Sequence, residues 1–183
     1  CSAVAAPPIR ALEDLAPSTA HLAVRWCERW RWRQVVRDAR IEQARCTGVA
    51  DSVHFDAGYR DIPSLIALML SAAVVVLPYD STDQTTSGVL VDTIASGRPV
   101  VATAFPHAVE LLSTGAGIVV AHDDPDALRT ALRTVLTEPR LAGAMSAEAR
   151  RLAPSMAWPI IARSYQALAQ RILTKRPERT WLQ

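Results

Sequence analysis

The stretch "VVVLPYDSTDQTTSGVLVDTIASGRPVVAT" (residues 74–103) decides the fold. An apolar run ended by proline is followed by a polar segment, a helical pattern and a second apolar run. Continuously apolar runs of this length are typical of strands that are covered on both faces of a parallel sheet. We therefore predict strands at 73–78 and 98–103, joined by a helix at about 86–96 that Gly97 closes.

Strands and helices alternate in the flanking sequence as well. Further strands are predicted at 52–56 and 117–121, and further helices at 61–72, 106–115, 123–139, 139–152 and 156–174. Asp61 and the acidic run "DDPD" (123–126) stand where a helix start favours an acidic cap, so we interpret that run as capping and not as a metal site. The alternation predicts an α/β fold, with a Rossmann-like parallel sheet and helices on both faces.

The composition narrows the class of protein. The 183 residues carry a net charge of +2, and the three cysteines show neither disulfide nor metal spacing, which favours a reducing compartment. No apolar run approaches the roughly 20 residues that cross a bilayer, and no signal peptide follows the first residue, Cys1. No spacing of His, Cys and carboxylate residues suggests a metal site. We expect a fragment of a cytoplasmic protein.

The loop after Pro78 lies at the carboxyl end of a predicted strand, which is where open parallel sheets bind ligands. The segment "TTSG" (85–88) follows at a helix start, where free N–H groups and the positive end of the helix dipole favour an anion. Gly88 lacks a side chain, so a phosphate can approach the backbone closely. An ordinary helix start with a serine or threonine cap is the alternative.

Three polar side chains near this loop are candidates for a ligand site. Asp92 lies among apolar residues, where a carboxylate needs hydrogen-bond donors such as sugar hydroxyls; a place on the solvated helix face is the alternative. If Gln84 precedes the helix and Asp92 lies two turns in, both side chains point toward one pocket. His107 follows the next strand and either contacts a ligand or is a solvated first-turn histidine, which we favour.

The segment "VVVLPYDSTDQTTSGVLVDTIASGRPVVATAFPHAVELL" (74–112) resembles the donor-binding half of family-four glycosyltransferases, retaining enzymes of the GT-B fold. Their usual sequence is P-S-x-x-E-G-F-G-L-V-x-x-E-A-x-A-x-G-x-P-V-V-A-T, and "ASGRPVVAT" (95–103) sets the register. Asp92 then matches the second glutamate and Gln84 the first. The resemblance covers about 48–174 and is most specific at 74–103.

The resemblance implies a site for a nucleoside-diphosphate sugar. Backbone amides at Ser87 and Gly88 are implied to hold the diphosphate, and Asp92 the ribose hydroxyls. Val89 is a further residue of the implied donor site. Gln84 stands at a catalytic position that contacts the donor sugar, where it keeps hydrogen-bonding capacity but lacks the negative charge. The residues expected to line the rest of the cleft are Asp83, Thr86 and His107. Neither a metal nor a cofactor is implied.

The implied activity is hexosyl transfer, with retention, from the nucleotide sugar to a lipid-linked or saccharide acceptor. We expect 48–174 to form the donor domain, followed by a tail (175–183). The poorly defined Arg/Trp-rich segment that precedes it (1–47) is either separate or a truncated part of the same domain. We expect the acceptor domain to lie outside this sequence, and the helix at 156–174 is implied to cross toward it. We expect a cytoplasmic protein in peripheral contact with the inner face of a membrane.

Two other functions remain open. A truncated, non-catalytic domain would bind the nucleotide and transfer nothing. Arginines and tryptophans interleaved within 25–45 would suit a module that binds an anionic polymer or a membrane surface. We favour instead a helix whose tryptophans pack on the sheet, or sequence that truncation has exposed, and we do not expect nucleic acid as a partner.

Overall fold

Parallel strands form the centre of the protein in a computed structural model, which describes residues 22–23, 30–56 and 58–174. The first two strands, β1 (Leu22–Ala23) and β2 (Val53–His54), pair with each other. The next three form one parallel sheet in the order β3 (Val75–Leu77), β4 (Val100–Thr103) and β5 (Gly117–Val120). The four strands predicted from the sequence are thus confirmed, with shorter bounds.

Helices follow the strands as predicted. They are α1 (Trp30–Cys46), α2 (Ile62–Ser71), α3 (Gly88–Ala95), α4 (Pro106–Leu112), α5 (Pro125–Thr137), α6 (Pro139–Leu152) and α7 (Trp158–Thr174), with short 3-10 turns at Ala50–Ser52 and Ala153–Met156. Asp61 caps α2 by accepting the N–H of Ser64 at 2.9 Å, and Asp124 caps α5 by accepting that of Ala127 at 2.8 Å. The interpretation of the acidic run at 123–126 as capping is therefore confirmed.

Residues of β4 alternate between two cores because successive side chains of a strand point to opposite faces. Val100 and Ala102 belong to a core that includes Leu90 of α3. Val101, between them, belongs to a second core that includes Leu128 of α5. Helices therefore cover both faces of the sheet, which confirms the predicted fold class.

Helix α6 packs against both cores. Met145 is 2% exposed and belongs to the core on the α5 side. Ala149, about one turn further on, is 0% exposed and belongs to the core on the α3 side. One helix therefore joins the two layers that the sheet separates.

We expect Glu148 of α6 to make a pH-dependent contribution to stability. Arg151 donates to both of its carboxylate oxygens, at 2.7 and 2.8 Å, and these bonds, followed by one from the Thr114 hydroxyl, lower the pKa of Glu148 from 4.5 to about 2. A carboxylate whose pKa is lowered by folding stabilises the protein fully above its unfolded-state pKa, and that stabilisation is lost as the pH falls through the folded-state value.

We expect Glu148→Gln to lower the free energy of unfolding at pH 6. The difference from the parent should shrink as the pH falls from 4.5 toward 2, because the parent then loses the same charge. Urea unfolding of both proteins across this range measures the effect. A difference that stays constant at every pH would contradict the assignment.

In the described part of the Arg/Trp-rich segment, the two-residue strand β1 is followed by helix α1 from Trp30 to Cys46. Within α1, Arg37 lies 3.4 Å from Asp38 and Arg45 lies 3.5 Å from Glu42, both as ion pairs on the surface. Apart from β1, the residues before Trp30 lie outside the described residues, as does the tail at 175–183. The domain boundaries and the binding of an anionic polymer stay predictions.

Helix α7 buries none of its residues in the described structure. Trp158 is 83% exposed and Tyr165 is 69% exposed. Its predicted path toward an acceptor domain stays a prediction.

Candidate functional site

The loop between β3 and α3 presents the start of α3 at the carboxyl end of a strand. Ser87 is the N-cap, with an extended backbone (φ −138°, ψ 108°), and its Oγ accepts the N–H of Leu90 at 3.2 Å. Helix α3 therefore begins at Gly88, and Thr85 and Thr86 precede it. The predicted helix start is confirmed, with Ser87 as the residue that caps it.

Ser87 is held from three sides and is only 4% exposed. Besides its cap bond, its Oγ shares a 3.3 Å hydrogen bond with the Tyr79 hydroxyl. Its backbone N–H donates to Nδ1 of His107 at 2.8 Å. The amide of Ser87 is thus engaged within the protein, and its predicted contact with a diphosphate stays a prediction.

The backbone N–H groups of the next two residues, Gly88 and Val89, are unpaired in the described structure. Among the described residues no acceptor is placed against the N–H groups of Gly88 and Val89, whereas the N–H of Leu90 donates to the Ser87 side chain. Gly88 is exposed, and a Cβ at this position would meet no atom within 4 Å. Unpaired N–H groups at the positive end of a helix suit an anion, so this start is open to one.

Asp92 lies in the second turn of α3 and is half-buried. In the described part of the chain its carboxylate makes neither a hydrogen bond nor an ion pair, although its backbone carbonyl accepts from the Ser96 N–H and hydroxyl at 2.9 and 2.8 Å. A half-buried carboxylate without donors is consistent with a ligand that supplies them. The predicted role of Asp92 stays a prediction.

Gln84 is tied to the loop. Its side-chain Nε2 donates to the backbone carbonyl of Thr86 at 3.1 Å. Its backbone carbonyl accepts the backbone N–H of His107 at 3.4 Å. No hydrogen bond in the described structure joins Gln84 to Asp92. The structure therefore brings Gln84 together with Thr86 and His107, and a pocket shared with Asp92 stays a prediction.

His107 lies in the first turn of α4, as expected, and its ring makes a hydrogen bond within the protein that the expectation did not include. The residue is half-buried in the first turn of α4, and its Nδ1 accepts the Ser87 N–H from 20 positions earlier in the chain. A ring nitrogen that accepts a hydrogen bond is unprotonated, so a neutral ring here carries its proton on Nε2. The side chain thus belongs to the candidate site.

Asp83 is exposed in the loop that precedes α3. Its carboxylate accepts hydrogen bonds from the hydroxyls of Ser81 at 3.5 Å and Thr82 at 3.3 Å. Thr86 is exposed as well, and its carbonyl is the acceptor for Gln84. These bonds shape the loop, and a role for either residue in a cleft stays a prediction.

Two further residues border the loop and were missed by the sequence analysis. Tyr79 follows β3, and its hydroxyl reaches Ser87. Burial lowers the pKa of Arg40 of α1, and the charge of Asp80 in the loop partly offsets that effect. The sequence could have indicated Tyr79, because it directly follows a predicted strand. It held no comparable signal for Arg40.

A parallel sheet whose loop and helix start are open to an anion is typical of Rossmann-like nucleotide-binding domains. The chain belongs to a glycosyltransferase family, because the family model described as "Glycosyl transferases group 1" matches residues 6–138. No curated protein sequence matches the chain.

Solved glycosyltransferase structures resemble this fold. WaaG, a glycosyltransferase involved in lipopolysaccharide biosynthesis, is 28% identical, with a TM-score of 0.57 over 65% of this chain and 31% of its own. Sucrose-phosphate synthase from Thermosynechococcus elongatus is 22% identical, with a TM-score of 0.75 over 91% and 41%. Anabaena HepE in complex with UDP is 23% identical, with a TM-score of 0.73 over 90% and 43%.

The last two likenesses confirm the fold as the Rossmann-like half of a GT-B glycosyltransferase. The chain spans less than half the length of each of these three structures. Among the helices that the structure describes, none has both the length and the apolar character of a membrane span.

Proposed function

We propose that this chain is the donor-binding half of a retaining glycosyltransferase of the family-four, hexosyl-transferring type. The observation that carries the proposal is the start of α3, where the amides of Gly88 and Val89 lack an acceptor in the described structure and no atom lies over Gly88. Membership in the glycosyl transferases group 1 family supports it. So does the likeness to HepE, whose structure holds UDP.

Each site residue has a role in this proposal. The Gly88 and Val89 amides bind the diphosphate, helped by the positive end of the α3 dipole. The Asp92 carboxylate accepts hydrogen bonds from the ribose hydroxyls. Gln84 contacts the donor sugar through its neutral amide. As the sugar leaves, the same amides stabilise the negative charge that develops on the diphosphate.

The rest of the activity follows from the family and from the resemblance in sequence. The donor is a nucleoside-diphosphate sugar, and the proposed acceptor is a saccharide or a lipid-linked molecule. The proposal requires neither a metal nor a cofactor. A lipid-linked acceptor would place the protein at the cytoplasmic face of a membrane, in peripheral contact with it.

Gly88→Glu tests the diphosphate position. We expect the unsubstituted chain to bind UDP, and the variant to bind it at least tenfold more weakly, because a carboxylate within about 4 Å of the diphosphate costs about 1–4 kcal/mol. The fold should persist, since the added Cβ meets no atom within 4 Å and acidic residues suit a first helical turn. Calorimetric titration with UDP and a thermal unfolding curve measure both quantities.

Gly143→Glu is the matched control, because Gly143 of α6 is also exposed and a Cβ there also meets no atom within 4 Å. We expect its affinity for UDP to equal that of the parent. If the Gly88 variant and the parent bind UDP with equal affinity, the diphosphate does not bind at the start of α3. Failure of the parent to bind UDP, GDP and ADP would overturn the proposed function.

A non-catalytic nucleotide-binding domain is the second candidate. It is favoured by Gln84, whose amide carries no charge and is bonded to the Thr86 carbonyl at 3.1 Å. Both candidates bind the nucleotide, so they differ only in chemistry. Release of the nucleotide from a nucleoside-diphosphate sugar, followed with saccharide and lipid-linked acceptors present, distinguishes them when it is measured on the longer protein that also carries the acceptor domain, because the second candidate releases none. The donor-binding half by itself is expected to release none in either case.

A further inference from the structure

His107 joins two elements that are distant in the sequence. Its Nδ1 accepts the N–H of Ser87 at 2.8 Å, and its own backbone N–H donates to the carbonyl of Gln84 at 3.4 Å. The two bonds run in opposite directions between the first turn of α4 and the loop that precedes α3. His107 therefore holds both ends of the segment 84–87.

The helix that carries His107 is anchored in the core. Ala108 is 0% exposed and Leu112 is 3% exposed. Phe105, just before the helix, is also 0% exposed, and its ring packs against that of Tyr79 with centroids 4.8 Å apart. A side chain on such an element can restrain a loop, whereas an unrestrained loop loses conformational entropy when a ligand orders it.

We propose that His107 is a positioning residue for the nucleoside diphosphate, an inference that rests on the proposed function. By accepting the Ser87 N–H, it holds the start of α3 in the conformation that leaves the amides of Gly88 and Val89 free. It acts through Ser87 and not by touching the ligand. The acceptor atom Nδ1 is the part of the side chain that matters.

Substitution of His107 by asparagine or by glutamine distinguishes the roles of the two ring nitrogens. Asparagine places its Oδ1 near the position of Nδ1, whereas glutamine places its polar end near that of Nε2. We expect His107→Ala to weaken the affinity for UDP about tenfold, the equivalent of one hydrogen bond. His107→Asn should restore the affinity to within about threefold of the parent, and His107→Gln should remain as weak as the alanine variant.

Hydrogen exchange of the Ser87 amide in the absence of UDP gives a second measurement. We expect faster exchange in the alanine and glutamine variants than in the parent, because each has lost the acceptor. The asparagine variant should exchange as slowly as the parent. Thermal unfolding of all four proteins shows whether each one folds. If the asparagine and glutamine side chains disturb the loop, the alanine variant alone tests the proposal.

Three results would overturn the inference. If the glutamine variant binds UDP normally and the asparagine variant does not, His107 contacts the ligand through Nε2. If the folded alanine variant binds UDP as tightly as the parent, the positioning role is absent while the proposed function stands. If the parent binds none of UDP, GDP and ADP, the proposed function fails and the positioning role fails with it, whatever the exchange of Ser87 shows.

Discussion

Gly117→Ala should destabilise the protein by about 3 kcal/mol, the upper end of the usual cost of overpacking. A Cβ on Gly117 would lie 2.6 Å from the carbonyl oxygen of Val100 and 3.0 Å from a methyl group of Leu112. The carbonyl belongs to β4, which pairs with β5 at this point, so it cannot move without breaking the register. The cost is steric, since the φ of Gly117 is not in the left-handed region.

Gly143→Ala is the matched control for this substitution. Gly143 lies within α6, where a Cβ would meet no atom within 4 Å beyond the backbone of its own helix. Alanine is the better helix former by about 1 kcal/mol, so this variant should be more stable than the parent. Urea unfolding of the three proteins measures both effects. Equal stability of the Gly117 variant and the parent would contradict the close approach of β4 and β5.

Asp92→Ala should weaken the binding of UDP at least about a hundredfold. The carboxylate has no protein partner among the described residues, and two hydrogen bonds from hydroxyls to a charged group contribute about 3 kcal/mol or more. Stability should not fall, because alanine is the best helix former and no protein contact of the carboxylate is lost. Calorimetry with UDP measures the loss, and Glu138→Ala, at an exposed acidic residue between α5 and α6, is the control.

The ribose contact can be isolated with a second ligand. A uridine diphosphate without its 2′ and 3′ hydroxyls should bind the parent as weakly as UDP binds the Asp92 variant. Removing both the carboxylate and the hydroxyls should add little, because the two groups interact with each other. Equal weakening of parent and variant by the deoxygenated ligand would mean that Asp92 contacts another part of the nucleotide.

Local chemistry explains which parts of the fold could be predicted. Asp61, Ser87 and Asp124 cap helices by accepting an N–H from three residues ahead, an interaction that a short stretch of sequence determines. The strand bounds were less accurate because apolar residues continue past the paired backbone. Residues 73–78 are all apolar, yet only Val75–Leu77 form the strand.

The candidate site shows what could not be predicted. The segment 74–103 indicated the helix start and its glycine, but the partner of the Ser87 amide lies 20 residues away, after a further strand. Such a contact depends on how α4 packs, and no periodicity in the sequence reports it. The relative orientation of Gln84 and Asp92 was equally out of reach, because Gln84 lies in a loop without regular dihedral angles.

The double contact of α6 has a consequence for how the protein opens. Met145 and Ala149, about one turn apart, each complete a different core. Detaching α6 from either layer uncovers apolar surface in both, so neither layer has a low-energy way to melt by itself. We therefore expect the start of α3, which carries the exposed amides of the candidate site, to unfold together with the layer on the opposite face of the sheet.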